Sequence, residues 1–155
     1  MKTQTNKAAY TLAAIFFWAA TAAIMITIFY LSHQQGSESE STSTGFLAFV
    51  EGLLGITIDH GVFREIAHAA EFFALAFCAF FAIGSTCGYF RPVLTLIAAS
   101  AYAVTDEIHQ IFVPGRAFQV FDWLVDTSGA AAGVLVCAVI VVVIGKFNIK
   151  RRSKS

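Results

Sequence analysis

Long apolar stretches alternate along the chain with short polar connections. Ala8–Leu31, Ile66–Tyr89, Pro92–Phe112 and about Phe118–Ile144 each come near the roughly 20 residues a helix needs to cross a hydrocarbon layer. One connection is long, residues 32–65. It opens with SHQQGSESESTSTG, too polar to build a core. Further on, Phe46, Phe49, Val50, Leu53 and Leu54 recur at helical spacing, which predicts a short amphipathic helix over Gly45–Ile58, lying in the interface. The other connections are tight. GYFRP puts Pro92 in a first helical turn, and in VPGR Pro114 and Gly115 suit the central positions of a type II turn. The pattern predicts an all-α membrane protein with a single domain over residues 1–155. Its expected form is a four-transmembrane-helix antiparallel bundle, with the interfacial helix in the first extracytoplasmic loop.

Composition supports this class: 57% of the 155 residues are apolar and 13% charged, against about 25% charged in soluble domains. Lys2 and Lys7 precede the first stretch, which is too long for a signal h-region and has no small-x-small cleavage site after it. It is expected to stay as an anchor. The net charge is zero, but Lys2, Lys7, Arg91 and the basic tail from Lys146 to Lys154 all fall at the termini or in the GYFRP turn. The positive-inside rule then places both termini in the cytoplasm. The tail suits anionic head groups better than nucleic acid. Cys78, Cys87 and Cys137 lack the spacing of a metal knuckle and read as packing residues. Trp18, Trp123 and Tyr30 read as interfacial anchors.

On that topology every acidic residue and every histidine falls on the outer side. An ionised side chain at the centre of a membrane helix costs roughly 2.5–3.5 kcal/mol on insertion scales, so such residues mark a functional site by default. Arg64, His68 and Glu71 share one helical face, and Asp106, His109 and Gln110 share another with Glu107 at its flank. Asp122 and Asp126 lie one turn apart, continuing into Gly129 and Gly133, a small-residue stripe read as packing. Ser32, His33, Gln34 and Gln35 end the first span at the same depth. The plainer alternative is that these groups only pair with one another to hold the bundle. Against it, carboxylates outnumber arginines, and apolar residues would pack at least as well.

Three chemistries stay open on the residues alone. Two histidines among carboxylates could hold a divalent cation, although no H-E-x-x-H pattern is present. A His–Asp or His–Glu pair could do acid/base work. Alternatively, the carboxylates and amides could bind a polar head group or a cationic ligand without reacting.

FREIAHAAEFFALA, AVTDEIHQIFVPGRAFQVFDWLVDTSGAAAG and SHQQGSESES together resemble the VanZ-like family, in order and over nearly the whole chain. The resemblance covers a basic residue, histidine and glutamate before an aromatic; Asp-Glu-x-x-Gln before a Pro-Gly-Arg turn; and Ser-x-Gln-x-Gly after the first span. Phe72 stands where tyrosine is usual and Asp126 where asparagine is frequent. The resemblance implies a multi-pass protein of the bacterial cell membrane, associated in its founding member with reduced susceptibility to teicoplanin-type glycopeptides. It supplies no mechanism. His68, Glu71, Asp106 and Glu107 become the candidate catalytic residues, and Gln34, Arg64, His109, Gln110, Arg116, Asp122 and Asp126 the candidate ligand-binding ones. The implied partner is a membrane lipid or lipid-linked cell-wall precursor, with the glycopeptide itself a further candidate. A non-enzymatic sequestering protein is the competing reading. A cation or solute transporter ranks third, because the inner halves of the spans carry almost no polar residues.

Overall fold

The computed structural model describes residues 2–33, 44–45, 47–53 and 55–152, with the side chains of residues 2–7, 9 and 146–152 left aside. All regular structure among them is helical. The long helices are α1 (Lys2–Ser32), α2 (His60–Cys87), α3 (Pro92–Gln110) and α4 (Val120–Arg152). Residues 47–53 form a shorter helix that stops before the expected Ile58; the Gly55 N–H closes it on the Glu51 carbonyl at 2.8 Å.

Helix ends follow from local chemistry. α2 begins six residues ahead of the expected Ile66, because Asp59 caps it by accepting from the Val62 N–H at 3.2 Å. It ends at Gly88, whose φ of 76° and bond back to the Gly84 carbonyl give the usual glycine stop. Pro92 opens α3 as expected. Between α3 and α4, Gly115 has φ 80° and the Arg116 N–H reaches the Val113 carbonyl at 3.1 Å, the type II turn that Pro-Gly encodes.

Tyr10–Ser32, His60–Cys87 and Val120–Gly145 are long and apolar enough to cross a membrane. α3 falls short of that standard among the described residues. It is about 28 Å long at about 1.5 Å per residue, and its last turns hold Asp106, Glu107, His109 and Gln110, which lower its hydropathy.

Three contacts set the directions. Trp18, midway along α1, donates to Thr86 at the end of α2 at 2.9 Å. Ser32, ending α1, donates to Asp106 near the end of α3 at 3.0 Å. Gly129, early in α4, abuts the backbone of Ala69, early in α2. Sequence neighbours therefore run antiparallel. α2 is the central helix, packed most extensively on α4, then on α1.

The buried cluster is Ile28, Phe72, Leu75, Ala76, Phe80, Ala99, Ala103, Ala130, Val134 and Cys137. The outer faces are apolar as well: Leu12, Phe16, Ile26, Ile97, Leu135 and Val142 are all exposed. A soluble monomer rarely exposes so large a contiguous apolar surface. The indole of Trp123, expected as an anchor, is instead half-buried and donates to Ser100 at 3.2 Å, with Ser100 bonded to Thr127 at 2.9 Å. That N–H is spent between helices.

Candidate functional site

The directions above bring the C-terminal ends of α1 and α3 and the N-terminal ends of α2 and α4 to one end of the bundle. Nearly all the candidate polar residues collect there. Asp106, Glu107, Gln110 and Asp126 retain only 3%, 1%, 2% and 1% of their exposure, so this is an interior cluster and not a wet rim.

On the α1 side, Asp106 Oδ2 accepts from Ser32 Oγ at 3.0 Å and from Gln110 Nε2 at 3.2 Å. Gln110 Nε2 also donates to Ser32 Oγ at 3.0 Å. Asp106 and Gln110, one turn apart, thus close a triangle with the last residue of α1. On the α4 side, Glu107 Oε2 accepts the Gln119 backbone N–H at 2.8 Å, and the Gln119 amide donates to Asp122 at 3.3 Å. Successive residues of one helix therefore serve opposite neighbours.

α2 supplies His68 and Glu71. His68 Nδ1 is 3.8 Å from Asp126 Oδ1, beyond hydrogen-bond reach. Glu71 is half-buried within the field of Asp106 and Arg116. Asp126 stands in the combined field of Asp106, Glu107, Asp122 and Glu71. Arg64 is exposed. Arg116, in the turn, is half-buried: burial and the neighbouring Arg64 pull its guanidinium below the ordinary value, while Asp106, Asp122 and Glu107 oppose them. Arg64 and Arg116 therefore lie within reach of each other's charge, and Arg116 within reach of the carboxylates.

His109 meets the end of α1 as Asp106 does, one residue further on. Its Nε2 lies 3.2 Å from His33 Nδ1, and its ring packs on Phe29 at 4.4 Å between α1 and α3. Gln34 lies outside the described residues. Two participants were missed as site residues, Ser32 and Gln119. Ser32 carried a signal, as the first residue of the Ser-x-Gln-x-Gly stretch; Gln119 carried none.

Several acceptors are left over. Both Asp126 oxygens, Asp106 Oδ1, Glu107 Oε1 and His68 Nδ1 are buried with no hydrogen-bond partner among the described residues. No group of three His, Cys, Asp or Glu among the described residues is arranged to hold a metal ion.

Close approach of α2 and α4 holds this floor together. A Cβ on Gly129 would land on the Ala69 carbonyl oxygen, and one on Gly133 would lie 2.6 Å from that of Phe73. Only glycine lets the backbones meet at this separation, as the small-residue stripe led us to expect.

Apolar helices with apolar outer faces and an acidic interior cluster at one end define an all-helical membrane protein. The family model for VanZ/LLP1 matches residues 17–142, and the chain belongs to that family. No curated protein and no solved structure matches the chain.

Proposed function

We propose that this end of the bundle is an outward-facing pocket that binds, or acts on, a lipid-linked or lipid-like molecule of the bacterial envelope, and so lowers susceptibility to teicoplanin-type glycopeptides. The observation that carries the reading is the set of buried, partnerless acceptors on Asp106, Glu107, Asp126 and His68, set inside a bundle whose outer faces suit lipid. A purely structural cluster would satisfy its own polar groups, since an unmade buried hydrogen bond costs about 1–3 kcal/mol.

In this reading all four long helices span. α3 is short and polar at its end because it lines the pocket, while Val93, Leu94, Ile97 and Ile108 face outward as on its neighbours. Both termini and Arg91 lie in the cytoplasm, where the positive charge gathers, and residues 47–53 rest in the outer interface. Arg116 and Arg64 suit an anionic group of the bound molecule.

The test is expression in a susceptible bacterium, comparing wild type with Asp106→Asn and His68→Gln. Wild type should raise the inhibitory concentration of a teicoplanin-type drug, and both variants should lose that effect at near-normal folded yield in detergent. If the variants keep the effect, the pocket is not the working site. If yield and melting temperature fall together with function, the cluster is structural.

A further inference from the structure

We infer that the floor of this pocket takes a protonated primary amine. This rests on the pocket reading above and adds the chemical class of what enters it. Among the described residues the unpartnered atoms are Asp106 Oδ1, Glu107 Oε1, Asp126 Oδ1 and Oδ2, and His68 Nδ1. The carboxylate oxygens only accept when ionised, and the imidazole nitrogen can accept as well. Asp126 is 99% buried and neither of its oxygens has a hydrogen-bond partner among the described residues; the nearest cation-forming group is the His68 imidazole at 3.8 Å.

Charge points the same way as hydrogen bonding. Glu71, Asp106, Glu107, Asp122 and Asp126 converge from α2, α3 and α4, five carboxylates against a half-buried Arg116 and an exposed Arg64. Buried carboxylates that outnumber the cations around them are among the most expensive arrangements in a protein. An ammonium group brings three N–H donors and one positive charge, and no acceptor. A phosphate brings only acceptors and negative charge, so it is repelled from the floor and suited to the arginines. A quaternary ammonium has the charge but no N–H to give. The amine could be carried by a lipid head group or by a small soluble molecule; the chemistry recognised is the same.

Thermal melting of the purified full chain in lipid nanodiscs tests this. Discs of phosphatidylcholine alone are compared with discs that also hold phosphatidylethanolamine or phosphatidylglycerol, and with phosphatidylcholine discs given free ethanolamine. Wild type should be stabilised by phosphatidylethanolamine if the amine comes from lipid, or by ethanolamine if it is soluble. Asp126→Asn and Glu107→Gln should abolish that difference. Native mass spectrometry of wild type supplies a readout independent of the variants: the ethanolamine lipid should be retained over its N-trimethylated counterpart by about tenfold or more. Equal retention, or stabilisation by neither amine, overturns the amine assignment. If phosphatidylglycerol instead stabilises wild type and Asp126→Asn removes the effect, the pocket binds lipid by other chemistry, and only the amine falls. If no lipid or amine gives an Asp126-dependent effect, the pocket reading falls with it.

Discussion

Adding one methyl group at Gly129 or Gly133 should destabilise the bundle and open the site, whereas the same change at Gly145 should not. At Gly129 the new Cβ overlaps the Ala69 carbonyl oxygen and lies 2.8 Å from its carbonyl carbon and Cα. At Gly133 it lies 2.6 Å from the Phe73 oxygen and 3.3 Å from its carbonyl carbon and Cα. These are backbone atoms of α2, so no side chain can swing aside and the helices must separate. Overpacking of this kind costs about 1–3 kcal/mol, with Gly129 the worse position because its overlap is deeper. At Gly145 nothing lies within 4 Å, so alanine there should stabilise the helix by about 0.5–1 kcal/mol. Separation matters for the site because Ala69 and Gly129 flank His68 and Asp126, already 3.8 Å apart. The assay is thermal unfolding of the three alanine variants in one detergent, with drug susceptibility measured in cells. The expected stability order is Gly145→Ala, wild type, Gly133→Ala, Gly129→Ala. Gly129→Ala at wild-type stability would show that α2 and α4 do not meet here.

Three further outcomes are expected. Ser32→Ala removes a buried donor to Asp106 Oδ2 and an acceptor for Gln110; it should cost about 1–3 kcal/mol in the same unfolding assay, and an unchanged melting temperature would dissolve the triangle. Arg116→Ala should lower stability by less than the roughly 3–5 kcal/mol of a fully buried pair, and Asp122→Asn in the same chain should recover part of it. A coupling energy near zero in that double-mutant cycle would show that Arg116 does not offset Asp122. For topology, single cysteines at Arg116 and Arg91, in a chain with Cys78, Cys87 and Cys137 replaced by alanine, should be labelled from outside and inside the cell respectively; the reverse labelling would invert the orientation.

Much of this molecule is legible in its sequence because lipid leaves a chain few options. A run of twenty apolar residues must satisfy its backbone internally, so helices follow from hydropathy alone, and Pro-Gly, Pro92 and Gly88 mark turns and ends by local sterics. The depth of the site was equally legible: counting residues from the helix ends places His68, Asp106 and Asp126 at one level. Rotation of each helix about its axis was not, since it depends on which backbones approach most closely. Gly129 and Gly133 set it for α4 by seating that helix on Ala69 and Phe73. Tertiary packing alone therefore decided that Asp106 turns to Ser32 while Glu107 turns to Gln119, that His109 meets His33, and that Trp123 bonds Ser100. It also left the Asp126 carboxylate buried without a hydrogen-bond partner among the described residues, because that depends on what three helices fail to offer and not on any one of them.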